Sequence, residues 1–389
     1  MNQGTEPDIP YSRPSLGTEE EEAVLRVLRS GWLTTGAECA RFEEEFRSMT
    51  GADHAIAVSS ATAGLHLSLL AAGIKAGDFV VTTPLTFVAT TETIIAAGAK
   101  PVFADINPDT GNICPKSIAA ILKKCSAKAI LPVHFGGLSC PMKEIMALAD
   151  QYGCAVIEDA AHSFPAHDDS GYAGTHGTTG VYSFYANKTI TCGEGGMIVT
   201  ADEKIARQLR LLRMHGIDRD VWQRFTSTRA SWQYDVTAAG YKYNLPDVLA
   251  AIGREQLKKA HAMHARRVAI AEQYRQGFGA CDFLDLPPHA PSNSYHLFQI
   301  RINPEKLKIG RDDFIAALQA KGIGVSVHYI PLHTMSYYRE MDHYQPQDLP
   351  AALNWFERCI SLPIYPDLSD KEVSRIIEAV IGTGQNHHV

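Results

Sequence analysis

The sequence predicts an α/β protein with one large, mainly parallel β-sheet and a smaller α+β domain after it. Short apolar runs alternate with helix-length segments between residues 54 and 212. Strands separated by helices of this length form a parallel sheet covered on both faces. A long helical segment at 246–278 links this region to a part of the chain with fewer strands. We therefore predict a large domain over residues 1–250 and a small C-terminal domain over residues 251–389.

The elements of the large domain follow in a regular order. Two amphipathic helices come first, at 19–28 with an acidic start and at 41–49. The predicted strands are 54–58, 79–83, 101–104, 129–133, 155–158, 180–184 and 196–200. The predicted helices between and after them are 61–72, 87–98, 114–123, 142–152 and 205–212. Helix 61–72 carries the usual boundary signals, with Ser59 or Ser60 as a cap and Gly73 as the stop.

The small domain is predicted from a mixed pattern after the long helix. Two strands are expected, at 296–302 and 324–328. Two helices are expected as well, at 311–321 and 371–381. This order of elements is typical of an α+β unit.

Composition and charge exclude several functional classes. The 389 residues are 45% hydrophobic and 20% charged, which is ordinary for a soluble globular protein. The net charge of −7 and the lack of a Lys/Arg-rich run argue against nucleic-acid binding. The sequence contains no run of 18 apolar residues, so no membrane span is expected. The polar, acidic N-terminus lacks the basic and then apolar layout of a signal peptide. We therefore expect a cytoplasmic protein without nucleic-acid or membrane partners.

The eight cysteines and sixteen histidines do not predict a metal site. The cysteines are scattered and form no CxxC pair, and no histidine pair has the HExxH layout or a cysteine at zinc spacing. We expect reduced thiols and no bound metal.

The first candidate site follows a predicted strand and opens a helix at residues 59–62, with the sequence SSAT. In open α/β sheets the ligand lies beyond the carboxyl ends of the strands. The N–H groups and hydroxyls at such a helix start can hold an anion, and the helix dipole favours negative charge. A plain helix cap is the alternative interpretation. The segment is neither a Walker loop nor a GxGxxG motif.

Two further candidates follow other strands. Glu158, Asp159 and His162 come directly after an apolar run, and carboxylates are costly to bury without a partner. A capping or salt-bridged pair of acids remains an equal alternative. Lys188 lies between strands and is flanked by aromatic residues and by the glycines of GEGG at 193–196. Such surroundings can lower the pKa of an amine, as a Schiff-base lysine requires, although a lone lysine is usually a solvated surface charge.

Together these candidates match the needs of pyridoxal phosphate. This cofactor requires an amine for its aldehyde, a carboxylate for its ring nitrogen and a cup for its phosphate. Lys188 and Asp159 supply the first two, and the third is supplied by Ser60, Ala61 and Thr62 at the helix start. Phe87 follows another strand, where its ring could stack on the cofactor; a core phenylalanine is the alternative.

Several motifs, in order along the chain, resemble those of the DegT-type nucleotide-sugar aminotransferase family. They are GWLTTG at 31–36, SSATAG at 59–64, IEDAAH at 157–162, SFYANK at 183–188, GEGG at 193–196, GYKYN at 240–244 and VHY at 327–329. The resemblance spans residues 12–363. It implies pyridoxal phosphate as cofactor, the fold-type-I aminotransferase architecture, and a homodimer with active sites at the subunit interface.

The resemblance also implies roles for individual residues. Lys188 matches the Schiff-base lysine, and Asp159 matches the partner of the pyridine nitrogen. His162 matches the position that contacts the ring oxygen and completes the catalytic set. Ser183 and the 61–62 segment match phosphate contacts.

A second group of residues is expected to contact the substrate or the other subunit. The resemblance implies that the 242–244 loop comes from the partner, with either Lys242 or Asn244 reaching the phosphate. A nucleotide diphosphate carries negative charge that a chain of net charge −7 must meet locally. For Arg229, Lys242 and His328 the alternative is an ordinary surface charge. The substrate-binding candidates are Thr35, Arg229 in an insertion at 222–233, Lys242, His328 and Tyr329.

The resemblance predicts a transaminase that moves an amino group from glutamate to a UDP-linked 4-ketosugar by a ping-pong mechanism, with 2-oxoglutarate released. TITC after the lysine and GYKYN look most similar to the branch that aminates a UDP-linked 4-keto pentose for lipid A modification. Two alternatives remain: a sugar dehydratase of the same family, in which a histidine replaces the lysine, and a non-catalytic regulator. Lys188 argues against the dehydratase.

Overall fold

A computed structural model describes residues 7–218, 234–290 and 292–389. Its strands are β1 (His54–Val58), β2 (Phe79–Thr82), β3 (Lys100–Phe103), β4 (Ala127–Leu131), β5 (Ala155–Asp159), β6 (His167–Asp168), β7 (Gly171–Tyr172), β8 (Thr179–Ser183), β9 (Gly196–Thr200), β10 (Leu284–Asp285), β11 (Phe298–Ile302) and β12 (Cys359–Leu362).

The helices of the described residues alternate with these strands. They are α1 (Thr18–Ser30), α2 (Ala37–Thr50), α3 (Ala61–Ala71), α4 (Val88–Ala96), α5 (Pro115–Leu122), α6 (Met142–Tyr152), α7 (Glu203–Leu212), α8 (Asp247–Phe278), α9 (Arg311–Gln319), α10 (Ser336–Asp342), α11 (Pro350–Arg358) and α12 (Asp370–Asn386). None of these helices has an apolar stretch long enough to span a bilayer.

The large sheet has the strand order β1-β9-β8-β5-β4-β2-β3. Strand β9 is antiparallel to both of its neighbours, and the other pairs are parallel. The predicted α/β class with a mainly parallel sheet is therefore confirmed. Because β1, β2, β5 and β8 all run in the same direction, their carboxyl ends meet at one edge, where a ligand is expected.

The small sheet matches the prediction only at β11, because β10 and β12 were not predicted. Its order is β10-β11-β12, with antiparallel pairs. The predicted strand at 324–328 is wrong: within it only Ser326 forms a bridge, to Ser361 of β12. The segment leaves the sheet after this bridge because the next carbonyl that could pair, that of His328, accepts a hydrogen bond from the Gln299 side chain at 2.7 Å. Helices α10 and α11 also escaped prediction.

Helix α8 connects the two sheets. Its first part packs against α1 and α2, and Ile270, Tyr274 and Phe278 belong to the core around the small sheet. The N-terminal Ile9 packs in the same core, and its backbone bonds to Gly322 and Gly324. The division into domains at residue 250 stays a prediction.

Candidate active site

A cavity of about 490 Å³ lies at the carboxyl edge of the large sheet. Its walls come from the segments that follow β1, β2, β5 and β8, together with residues 328–329 of the C-terminal region. The residues predicted from the sequence that line it are Ser60, Ala61, Thr62, Phe87, Asp159, His162, Ser183, Lys188, His328 and Tyr329.

Lys188 lies in the loop between β8 and β9, where hydrogen bonds to Phe184 hold the loop ends together. The Phe184 N–H donates to the Gly195 carbonyl at 2.9 Å, and the Cys192 N–H donates to the Phe184 carbonyl at 3.0 Å. Burial lowers the pKa of Lys188 to about 8, while the charge of Asp159 acts in the opposite direction. Such an amine is a better nucleophile at neutral pH than an exposed lysine.

Asp159 is the last residue of β5 and is 4% exposed. Its carboxylate accepts hydrogen bonds from the Thr90 hydroxyl at 2.8 Å and from the Ala161 N–H at 3.1 Å. Burial raises the pKa of Asp159, although these two bonds and the charge of Lys188 oppose the shift. A carboxylate held in this way is stabilised by a cation in the cavity.

Glu158 points to the opposite face of β5, as expected for successive residues of a strand. It is fully buried and accepts a hydrogen bond from His134 Nε2 at 2.9 Å. The N–H groups of Gly174, His176 and Gly177 also donate to it, at 2.9, 2.7 and 2.6 Å. Burial acts to raise the pKa of Glu158, but the bond from His134 and the backbone donors hold it below its usual range. Of the two adjacent acids, only Asp159 lines the cavity.

The start of α3 forms another wall. Ser60 Oγ accepts a hydrogen bond from the Ala63 N–H at 3.1 Å, so the capping interpretation is correct for Ser60, which also lines the cavity. Gly196 of β9 packs directly behind this turn, since a Cβ there would lie 2.8 Å from the Ala61 nitrogen. Together with Thr62 and Ser183, the helix start supplies hydroxyls and a positive dipole end to an anion.

Comparisons with known proteins agree with this geometry. A family model described as the DegT/DnrJ/EryC1/StrS aminotransferase family matches residues 14–381. The chain belongs to this family. SpsC of Bacillus subtilis, a spore coat polysaccharide biosynthesis protein, is 43% identical over 375 residues, which cover 96% of each chain. The predicted family and the prediction of an aminotransferase enzyme are thus confirmed.

Solved structures of sugar aminotransferases have the same fold. PseC of Helicobacter pylori, an aminotransferase involved in pseudoaminic acid biosynthesis, aligns with a TM-score of 0.90 at 28% identity, over 97% of this chain and 100% of its own. Spr1654 of Streptococcus pneumoniae, named as a sugar aminotransferase, aligns equally well in its PMP form, with a TM-score of 0.90, 28% identity and coverage of 97% and 100%. It is also known in a PLP form. Pyridoxal phosphate is the cofactor of this aminotransferase family, which confirms the predicted cofactor.

The cavity of this family member fits the cofactor by its donor set. It combines a buried amine at Lys188, a buried carboxylate at Asp159 and the hydroxyls at the start of α3. In addition, Asn187 lines the cavity, and its buried Oδ1 has no hydrogen-bond partner among the described residues. The assignment of cofactor contacts to single residues remains a prediction.

Phe87 and His162 lie on the cavity walls in different surroundings. Phe87 is 59% exposed, so the alternative of a core phenylalanine is wrong. His162 is buried: its Nδ1 accepts a hydrogen bond from the Gly136 N–H at 3.3 Å, and its Nε2 lies 3.2 Å from the Tyr329 hydroxyl oxygen. Burial lowers the pKa of His162 well below its usual range, and the charges of Lys188 and His328 act in the same direction.

Three predicted residues gather outside the cavity of their own chain. Asn244 Nδ2 donates to Thr35 Oγ1 at 2.6 Å, and Lys242 Nζ donates to Asn244 Oδ1. Thr35 Oγ1 in turn donates to the Leu245 carbonyl at 2.6 Å. None of the three lines the cavity. Arg229 and the rest of the 222–233 insertion lie outside the described residues.

Other cavity residues escaped prediction. Thr86 and Thr90 extend the network around Asp159, since their hydroxyl oxygens are 2.8 Å apart. Because the Thr90 hydroxyl donates its hydrogen bond to Asp159, the Thr86 hydroxyl is the donor in the bond between the two threonines. Thr90 lies in the first turn of α4 and Thr86 lies before this helix begins, so the helical spacing of four residues does not by itself predict this contact. Tyr185 and Glu194 also line the cavity, and both occur in the motifs around Lys188.

Proposed function

We propose that this aminotransferase moves an amino group from glutamate to a nucleotide-linked 4-ketosugar, with UDP as the nucleotide. The observation that carries the amino-transfer part of the proposal is the convergence of Lys188, Asp159 and the start of α3 on one cavity. These groups come from the ends of three different strands, so the fold itself assembles them.

Each group has a distinct task in this proposal. Bound pyridoxal phosphate would supply an aldehyde carbon that takes up the amino group and a ring that stores an electron pair. Lys188 would hold the cofactor through its amine and, once free, would carry a proton at Nζ during the transfer. Asp159 keeps a proton on the ring nitrogen, and the start of α3 with Ser183 binds the phosphate.

The sugar substrate is supported by the relatives and not by a contact in this chain. SpsC belongs to spore coat polysaccharide biosynthesis, and PseC to pseudoaminic acid biosynthesis. We therefore place the amino acceptor among nucleotide-linked ketosugars. The lipid A branch, the cytoplasmic location and the lack of nucleic-acid partners stay predictions.

We further propose that the enzyme is a homodimer with shared active sites. Thr35, Lys242 and Asn244 form a hydrogen-bonded cluster that does not line their own cavity. The cluster lies beside the end of β1, since the Ser59 N–H donates to the Tyr243 carbonyl at 2.8 Å. In the proposed dimer, Asn244 or Lys242 contacts the phosphate bound by the second subunit.

The experiment that tests the function separates the two halves of a ping-pong reaction. Glutamate alone should change the absorption spectrum of the holoenzyme and release 2-oxoglutarate. A UDP-4-ketosugar added next should restore the original spectrum. The Lys188→Ala variant should show neither spectral change. If a simple keto acid restores the spectrum and no nucleotide ketosugar does, the enzyme is an amino-acid aminotransferase and the sugar proposal is wrong.

A further inference from the structure

We propose that a neutral His162 is a positioning residue that turns the hydroxyl of Tyr329 into a hydrogen-bond donor to a ligand oxygen in the cavity. The oxygen belongs either to the cofactor ring or to the sugar. In both cases the ligand oxygen accepts a hydrogen bond from the O–H of Tyr329. The KM values and the absorption spectrum distinguish the two sources. The inference rests on the proposed function only where the sugar is concerned.

The backbone fixes which nitrogen of His162 carries the proton. The Gly136 N–H can only donate, and it points at His162 Nδ1 over 3.3 Å. Nδ1 must therefore present a lone pair, and the single ring proton lies on Nε2. Gly136 is held in a 3₁₀ turn with a positive φ of 64°, and its carbonyl accepts from the Leu297 N–H at 3.0 Å. The backbone of Gly136 is thus fixed by contacts at both its N–H and its carbonyl.

The proton on Nε2 then determines the direction of the bond to Tyr329. The two atoms are 3.2 Å apart, and Nε2–H donates to the phenol oxygen. Tyr329 keeps its own proton, because burial raises the pKa of its phenol. Within the described part of the chain, His162 is the one hydrogen-bond partner of this hydroxyl. Since Tyr329 lines the cavity, its proton is available to a ligand there.

The surroundings of His162 disfavour a charge on its ring. Lys188, His328, His296 and Tyr329 face it from the neighbouring elements. The ring centroid of His296 lies 4.4 Å away, and burial keeps the pKa values of both His296 and His328 below the usual range. A proton added to His162 would meet the Gly136 N–H and the charge of Lys188. His162 therefore remains a donor and acceptor of fixed direction. Because both of its ring nitrogens are engaged in this way, the contact to the ring oxygen that was predicted for His162 would be made by Tyr329 instead.

This assignment predicts which substitutions preserve the arrangement. Glutamine carries one acceptor oxygen and one donor nitrogen, as neutral histidine does, but it cannot take up a proton. His162→Gln should therefore rescue the orientation of Tyr329, whereas His162→Leu should abolish it. If His162 acted as a general acid or base, both variants would fail equally.

The first experiment is ¹⁵N NMR of holoenzyme labelled at histidine, with the His162 signal assigned by its loss in His162→Gln. We expect a neutral ring protonated at Nε2 between pH 6 and pH 8. A charged ring at pH 7, or a proton on Nδ1, overturns the proposal. This readout does not depend on the identity of the substrate, so it stands even if no ketosugar is accepted.

The second experiment compares Tyr329→Phe, His162→Gln and His162→Leu with the unaltered holoenzyme, with circular dichroism as the control for folding. Loss of one neutral hydrogen bond should weaken the affected step about three- to tenfold in Tyr329→Phe and His162→Leu. His162→Gln should stay within about threefold of the unaltered enzyme.

The source of the oxygen follows from the step that changes. If the oxygen is the cofactor's, the pH midpoint of the holoenzyme absorption band shifts while KM for the ketosugar stays constant. If it is the sugar's, KM for the UDP-4-ketosugar rises, whereas the spectrum and KM for glutamate do not change. Either result supports the donor role. Normal behaviour of Tyr329→Phe in both readouts, or equal loss in His162→Gln and His162→Leu, overturns it.

Discussion

Replacement of Glu158 by glutamine should destabilise the fold strongly, although the two side chains have the same shape. The buried carboxylate accepts four hydrogen bonds, one from His134 and three from backbone N–H groups. An amide has one acceptor oxygen, so two of these four donors would face an NH₂ group. With about 1.5–3 kcal/mol for each hydrogen bond to a charged group, the loss amounts to roughly 3–6 kcal/mol.

The assay is urea-induced unfolding at neutral pH, with Glu305→Gln as the matched control. Glu305 is exposed, and such a surface substitution should change the free energy of unfolding by no more than about 0.5 kcal/mol. A loss below about 1 kcal/mol in Glu158→Gln would refute the claim that this carboxylate is ionised and fully bonded.

The effect should also depend on pH in a defined direction. The pKa of Glu158 is lower in the folded chain than its ordinary value of 4.5. Its stabilising contribution is therefore fully present above pH 4.5 and is lost as the pH falls through the folded pKa. The difference between Glu158→Gln and the unaltered protein should shrink below pH 4.5, and a constant difference would contradict the ionised state.

Three further outcomes are expected. Asp159→Asn removes a buried carboxylate of raised pKa. In thermal scans, the variant without cofactor should unfold at an equal or higher midpoint than the unaltered protein, and pyridoxal phosphate should raise that midpoint less. An equal rise in both proteins would count against a role of Asp159 in binding the cofactor. The rate at which the apoenzyme captures the cofactor, followed by absorbance, should increase with pH around a midpoint near 8, where burial places the pKa of Lys188, and a midpoint near 10.5 would show an exposed amine. Mixed dimers of Lys188→Ala and Asn244→Ala chains should regain activity that each parent lacks, and no recovery in proven hybrids would exclude a shared site.

The core of the candidate site could be predicted because it depends on strand ends. Asp159 is the last residue of β5 and Lys188 follows β8, and parallel neighbours place such residues at one edge of the sheet. Asp159 was predicted as the carboxylate for the ring nitrogen, and strand alternation places Glu158 on the opposite face. The loop at 174–177 donates hydrogen bonds to Glu158 and so determines which face of β5 belongs to the cavity. The conformation of this loop is not apparent from the local sequence pattern.

Other features depended on contacts between distant parts of the chain. The segment at 324–328 has the composition of a strand, but the side chain of Gln299 replaces the expected backbone partner. The direction of the bond between His162 and Tyr329 follows from the Gly136 N–H, which no residue type encodes. The cluster of Thr35, Lys242 and Asn244 is formed within one chain, but its proposed contact to the phosphate requires a second subunit.

The most direct test of the central claim is to reduce the holoenzyme with borohydride and to map the peptide that carries the cofactor. The cavity predicts one labelled peptide, with the label on Lys188, and no stable label in Lys188→Arg. A label on another lysine, or full aminotransferase activity in Lys188→Arg, would contradict the assignment of this cavity as the active site.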